Sequence, residues 1–331
     1  MEIKAADVAK LRQMTGAGMM DCKKALVEAE GDYERAKEII REKGKLVAAK
    51  RADRETSEGR VIAKVNGDKA IVVGLGCETD FVAKNEEFKA LAEAIADAAI
   101  ASFPADKDAL MACVLADGRT VEAAVTEQTG KTGEKHQIAG YEVVEAPYIV
   151  AYMHNVTGKL AAVVGFNKEF DAQVAKGVAM QVASMNPVAV SAESVPQSVI
   201  DSELKTATEK TKEELVQKAV DAALTKAGIN PAHVDSEAHI ESNQSKGWIT
   251  AEQAEQAREI IKTVSAEKAA NLPEQMVANI AKGRLQKFFK EQTLEEQGYQ
   301  MGDGKTPVKD VVKAADAEAK ILAFKRVSLA D

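Results

Sequence analysis

Apolar positions recur along the chain in two rhythms, and the change of rhythm marks out its parts. Val8, Leu11 and Met14 stand three apart, while Cys22, Ala25, Leu26 and Ala29 share one face of a 3.6-residue repeat, as do Tyr33, Ala36, Ile39 and Ile40. Three short helices are therefore expected over residues 1–44, parted by Thr15-Gly16-Ala17-Gly18 and by Gly31-Asp32. Asp7 and Asp21 are the expected caps of the first two, and the third is expected to stop near Gly44. A segment of this size buries only a small core, which suits a docking module better than a catalytic domain. Residues 45–58 follow as a highly charged, partly helical connector.

From Arg60 the period changes to two. Arg60–Val65 alternates apolar and polar residues, Asn66-Gly67 reads as a hairpin turn, and Ala70–Leu75 supplies a second strand. The same plan returns at Tyr148–Met153, a turn around Asn155–Gly158, and Leu160–Phe166. Val72-Val73-Gly74-Leu75 is echoed by Val163-Val164-Gly165-Phe166. A helix opens at Glu87-Phe88 in one copy and at Glu169-Phe170 in the other, running to Pro104 and Pro187. Asp117-Gly118-Arg119-Thr120 leads through a helical stretch to a strand at Gln137–Val144, and Asp303-Gly304-Lys305-Thr306 leads likewise to Ile321–Val327. Each copy reads as hairpin, helix, helix, strand. The fold class expected is α+β: a three-helix module, then two related core subdomains, each a three-stranded antiparallel sheet with helices packed on it. The first subdomain takes residues 59–146, the second 147–200 and 273–331.

The copies differ in two places. Between second strand and helix the first has eleven residues, Gly76–Glu86, where the second has two, Asn167-Lys168. The second carries its own insertion at about 201–272, rich in Ala, Glu, Lys and Gln, where Ile200, Leu204, Leu215, Ala219 and Ala223 predict long amphipathic helices. A helical arm of this kind is expected to pair with its own return helix or with another subunit, as in a homodimer.

Composition narrows the partner. With 46% hydrophobic and 29% charged residues the chain reads as soluble and globular. Its longest apolar runs, such as Ala94–Ala101 with Asp97 inside, are too short and polar to cross a bilayer, and Met1–Arg12 has no apolar signal core, so a cytoplasmic location away from membranes is expected. A net charge of −8 and 4% aromatics, with Trp248 the single tryptophan, argue against direct nucleic-acid binding and point to a protein partner. Cys22, Cys77 and Cys113 lie far apart without a Cys-x-x-Cys pair and read as small apolar thiols; neither a metal nor a cofactor is expected.

Several stretches imitate ligand motifs. Gly302-Asp303-Gly304-Lys305-Thr306 ends like a phosphate loop, but position 299 is Tyr where that loop needs glycine, Pro307 follows, and no apolar strand precedes. Thr129-Gly130-Lys131-Thr132 has Val125 at the required place. Direct nucleotide binding is thus not expected. Gly16-Ala17-Gly18 has no strand before it and reads as a helix-to-helix turn. His233 and His239 are six apart, on different faces of a helix, and His154 at a strand end suits either a surface contact or turn chemistry.

The stretch added to the first copy is different. Asp80-Phe81 puts a carboxylate beside a large ring, in a loop that the second copy does without. Phe81 in the core with Asp80 as a helix cap is one reading. The comparison of copies favours the other, a binding loop on a rigid scaffold.

Thr15-Gly16-Ala17-Gly18-Met19-Met20-Asp21-Cys22-Lys23-Lys24-Ala25-Leu26 and Thr79-Asp80-Phe81-Val82-Ala83-Lys84-Asn85 resemble the two signature stretches of elongation factor Ts, and Gly283-Arg284-Leu285 with Phe288 resembles a third. The order of parts is similar too: a ubiquitin-associated-like helical module, two core subdomains, and a helical arm inserted in the second. The resemblance implies a guanine nucleotide exchange factor of protein synthesis rather than an enzyme, one that binds elongation factor Tu and accelerates GDP release so that GTP can load. It implies that Thr79, Asp80, Phe81 and Val82 reach toward the magnesium site of the GTPase, Phe81 as a wedge in an apolar pocket and Asp80 disturbing the surroundings of the ion. It further implies that Thr15, Gly16, Ala17, Gly18, Met19 and Met20 grip the nucleotide-binding domain, with His154 and Met180 as further contacts. Two departures stand out: an arm lengthened by Gly228–Thr250, which includes Trp248, and an end at Ser328–Asp331 without the tail helix of some members. Exchange makes and breaks no bond, so it needs no catalytic constellation. It needs linkage: a coupling of about 3 kcal/mol changes affinity roughly 150-fold, and nucleotide weakens the factor by the same ratio.

Overall fold

The computed structural model describes residues 3–330; Met1 and Glu2 of the opening segment, and Asp331 at the other end, lie outside them. Three helices come first: α1 (Ala5–Thr15), α2 (Met19–Glu28) and α3 (Tyr33–Lys50). Leu11, Cys22, Leu26 and Ala36 are fully buried between them, as the apolar spacing requires. Asp32 caps α3, its carboxylate accepting the Glu34 and Arg35 N–H groups at 2.8 and 3.1 Å. The other two caps differ from expectation. Lys4 and Gly18 occupy the N-cap positions of α1 and α2, which moves Asp7 and Asp21 into the first turn, where a carboxylate still opposes the positive end of the helix. Asp7 accepts the Lys4 N–H there, and Asp21 pairs with Lys43.

The first copy of the repeat comprises β1 (Glu58–Asn66), β2 (Lys69–Cys77), α4 (Asp80–Ala83), α5 (Glu86–Ser102), α6 (Lys107–Ala112), α7 (Val121–Thr132) and β3 (Gln137–Glu145). Its sheet is antiparallel in the order β1-β2-β3. Asn66 pairs with Lys69, so the two-residue turn is Gly67-Asp68, one position later than the sequence suggested, with Gly67 at φ 61°. The second copy begins with β4 (Tyr148–Met153), β5 (Leu160–Phe166) and α8 (Ala172–Met185). The arm helices α9 (Gln197–Lys226), α10 (Glu237–Ser245), α11 (Ala251–Ala270) and α12 (Glu274–Gln292) follow, and α13 (Val308–Ala315) and β6 (Ile321–Ser328) complete the copy. Its sheet runs β4-β5-β6. The described residues divide into two compact units, one up to Val190 with those from Gln297 onward, the other Ser191–Glu296.

Helix α8 starts later than Glu169-Phe170 because Asp171 caps it, accepting the Gln173 and Val174 N–H groups. Phe170 remains outside the helix and sets its ring edge-on to Phe166 at 5.0 Å. Both α5 and α8 end on a left-handed residue, Phe103 at φ 48° and Asn186 at φ 43°, one residue before the prolines.

Strand β2 is buried on both faces. Ile71, Val73 and Leu75 meet Phe88, Ile95 and Val125 of the helices, whereas Ala70 and Val72 meet Ala161, Val163 and Val327 of the second sheet. The two sheets therefore stack face to face, with helices on the outer faces. Glycines of the repeat lie in this seam: a Cβ on Gly165 would come 2.6 Å from Ala146 Cβ, and one on Gly74 would come 3.1 Å from Val327 Cγ1. Close sheet approach is the reason both copies keep glycine there.

A similar contact explains why α3 runs past Gly44 to Lys50. A Cβ on Gly44 would lie 3.3 Å from Thr126 O, and one on Gly130 would lie 3.0 Å from Gly44 Cα. These glycines form the crossing point of α3 and α7. Gly44 does not stop the helix; its missing side chain serves helix packing.

In the second unit, α9 packs against α11 and α12. Its buried positions are Ala207, Thr211, Val220 and Leu224, whereas Leu204 of the expected stripe is exposed. Val220 and Leu224 join Ile229, Val234, Ile240 and Ile249 in a small core of their own, with Trp248 exposed beside it.

Candidate partner-binding surface

The added loop folds into a single helical turn. Thr79, not Asp80, is its N-cap, with Oγ1 accepting the Val82 N–H at 3.4 Å. Val82 and Ala83 pack on the core of the first sheet. Phe81 points the other way and is 83% exposed, which removes the reading of Phe81 as core filler. Asp80 is held by Lys84 at 2.6 Å, and that hydrogen bond keeps its carboxyl below the usual range, so it is ionised at neutral pH.

The turn is fastened to the segment between α7 and β3. Glu134 accepts from Thr79 twice, Oε1 from the hydroxyl at 2.7 Å and Oε2 from the backbone N–H at 3.1 Å. Glu78 reaches back in the opposite sense, accepting the Lys135 N–H at 2.6 Å and Arg51 Nη1 at 2.8 Å. Desolvation opposes ionisation of Glu78, yet these hydrogen bonds hold its carboxyl below the usual range. Beneath the turn the Cys77 thiol donates to Thr79 O at 3.3 Å, and burial, with Glu134 and Glu58 nearby, pushes its pKa up to about 12. It is a packed thiol, not a nucleophile. His136 follows in the same segment, buried against the Phe88 ring at 5.6 Å with Nδ1 2.9 Å from Glu134 O, and burial lowers its pKa.

The second signature stretch is the α1–α2 turn. Gly16 takes φ 68°, and a Cβ there would fall 2.5 Å from Lys131 Cε of α7. Thr15 Oγ1 donates to Leu11 O at 2.8 Å and accepts the Ala17 N–H at 3.3 Å, which closes the turn and buries Ala17. Gly18 then releases Met19 and Met20 outward, 56% and 64% exposed. Flexible, polarisable methionines on a rigid turn are a common binding surface. One stretch thus rests on Lys131 in the last turn of α7, and the other on Glu134 in the segment that follows it.

His154 and Met180 lie in the second copy. The His154 ring closes the β4–β5 turn, with Nδ1 3.0 Å from Thr157 Oγ1, and its backbone N–H donates to Leu160 O. Met180 is half-buried on α8. Between them in sequence, Val156 at the tip of the turn is 92% exposed, an apolar position that the sequence reading passed over. The Gly302–Thr306 stretch is a turn closed by its own aspartate: Asp303 Oδ1 accepts the Lys305 and Thr306 N–H groups at 2.9 and 2.8 Å. Tyr299, in the position a phosphate loop reserves for glycine, sets its hydroxyl over Gly177 of α8. No helix among the described residues is long and apolar enough to cross a membrane.

Comparison with known proteins joins these features. The family model for elongation factor Ts matches residues 78–230 and 217–331. The chain is 56% identical over 329 residues to elongation factor Ts of Parabacteroides distasonis, and the alignment covers 99% of each chain. This chain belongs to the elongation factor Ts family. Identity is 55% to elongation factor Ts of Bacteroides thetaiotaomicron and 40% to that of Christiangramia forsetii, again over 99% of both chains. The family carries with it a nucleotide-exchange role in translation elongation and a partnership with elongation factor Tu. An arm of this length is shared with these relatives, since the alignments run through it in full.

The sequence singles out Phe81 and the Thr15–Met20 turn, and the structure sets Phe81, Met19 and Met20 at the surface. The sequence does not single out Glu134, which lies 55 positions from Thr79. A lone Glu after Thr132-Gly133 carries no periodic signal, and only the repeat alignment, which places residues 134–136 just before a strand, pointed near it.

Proposed function

We propose that this protein binds GDP-bound elongation factor Tu through the Met19-Met20 turn and the Phe81 turn, disturbs its magnesium and phosphate site, and so promotes GDP release. The observation that carries this reading is Phe81: a ring 83% exposed on a turn fastened at Thr79 and Glu78 and packed beneath through Val82. A free loop would let such a ring fold back onto the core. Here it is held out, ready to enter an apolar pocket without further ordering cost. Burying a Phe side chain is worth about 1.5–3 kcal/mol. If that contact forms only when the nucleotide site is opened, it supplies about 10- to 150-fold of the required linkage by itself. Asp80, kept ionised beside Lys84, would bring negative charge toward the magnesium coordination sphere and compete for its surroundings.

In this reading the protein is not an enzyme, binds neither nucleotide nor nucleic acid itself, and works in the cytoplasm. Self-association through the arm would use the exposed Leu204 of α9 and Met276 of α12. The test is affinity by titration calorimetry for nucleotide-free elongation factor Tu and for the same protein saturated with GDP. Nucleotide-free binding at least tens of times tighter is expected. Equal affinities would rule out exchange by this chain.

A further inference from the structure

The way the Phe81 turn is fastened differs between the copies, and the difference separates what keeps the fold from what serves the wedge. In both copies the residue just past the second strand bonds to the backbone just before the last strand. Asn167 Oδ1 accepts the Lys320 N–H at 2.7 Å, and Glu78 Oε1 accepts the Lys135 N–H at 2.6 Å. That shared bond ties the sheet edge to its return segment. The next position diverges. In the second copy Lys168 meets Asp316 at 2.7 Å, through the end of a long side chain. In the first copy Glu134 takes both the hydroxyl and the backbone N–H of Thr79.

From this we infer that Glu134 is a positioning residue for nucleotide exchange, fixing the direction in which Phe81 is presented; the inference rests on the exchange-factor reading above. Helix α4 has four residues, too few to hold itself together, so its orientation is set by what grips its ends. Its C-terminal half is gripped by core packing at Val82 and Ala83. Its N-terminus is gripped by Glu134, whose carboxylate also opposes the positive end of the turn. With both ends held, Phe81 projects between them. Release of the Thr79 end would let the turn pivot on Val82 while the Met19-Met20 turn and the rest of the surface stayed in place. Binding would persist and the wedge would miss its pocket.

The experiment is stopped-flow release of fluorescent GDP from elongation factor Tu over a range of factor concentrations. Wild type, Glu134→Ala, Thr79→Val and the double variant are compared, each with a thermal melt. Glu134→Ala is expected to lower the maximal release rate roughly ten-fold, the scale of losing a charge-assisted pair of hydrogen bonds. The half-saturating concentration stays within about two-fold, because the other contacts remain. The variant that combines Glu134→Ala with Thr79→Val is no slower than the slower single one. Should Glu134→Ala fail to fold, Glu134→Gln, of the same size with one acceptor left, gives the same pattern with a smaller loss. An unchanged maximal rate, a loss confined to half-saturation, or simple additivity overturns the positioning role while leaving exchange intact. A wild type that gives no acceleration overturns the exchange reading, and this role with it.

Discussion

Replacing Gly165 by alanine puts a methyl group into the seam between the two sheets, and two opposing effects decide the outcome. A Gly→Ala change at an allowed backbone position stabilises by about 0.4–1 kcal/mol, through the unfolded chain. Gly165 is not among the glycines with positive φ, so that gain is available. Against it stands a Cβ 2.6 Å from Ala146 Cβ and 3.0 Å from Val144 Cγ1, in a seam whose neighbours Ala161 and Val163 are fully buried. Overpacking of this kind costs about 1–3 kcal/mol, so a net loss of about 1–2 kcal/mol is expected. Equilibrium urea unfolding reads it as a lower midpoint at unchanged slope. Moving the methyl across the seam, with Gly165→Ala combined with Ala146→Gly, should recover about 1 kcal/mol relative to the sum of the single changes. A Gly165→Ala protein as stable as wild type, or more so, would refute the claim that close sheet approach fixes this glycine.

His136 predicts a pH effect. Burial lowers its pKa below the unfolded value of about 6.5, so between the two values the unfolded chain holds more protons; stability is full above about pH 6.5 and falls as pH drops, levelling off below the folded pKa. His136→Gln should flatten the fall in melting temperature between pH 7.5 and 5.5; an equally steep fall would place the titration elsewhere. Gln181, fully buried, donates to Gln297 Oε1 and Gly298 O at 3.1 and 3.2 Å and accepts the Gln300 N–H at 2.9 Å. Gln181→Leu strands these groups and should cost about 2–4 kcal/mol in urea unfolding, and a loss below about 1 kcal/mol would show that the 297–300 segment finds other partners.

The repeat was legible in the sequence because hairpins and period-two alternation are local. It gave the strands, their pairing and the added loop nearly to the residue. What it hid is long-range. That β2 and β5 are apolar on both faces is visible in Ile71–Leu75 and Ala161–Val164, but that the second face of each meets the other sheet depends on packing between segments far apart in sequence. Gly44 has the sequence signature of a helix end, and only Gly130 on the crossing helix gives its absent side chain another meaning. At the candidate site the exposed ring could be suspected from the comparison of copies. Its fastening could not, since Glu134 and Thr79 are brought together by the return of β3 along β2.

The most direct test of the account is the rate of fluorescent GDP release from elongation factor Tu with wild-type protein and with Phe81→Ala. Because the ring is 83% exposed, its removal should leave the melting temperature unchanged. Wild type should accelerate release strongly and the variant should be slower by about ten-fold or more, the worth of one apolar side chain buried in the open complex. Equal acceleration by the two proteins would contradict the wedge.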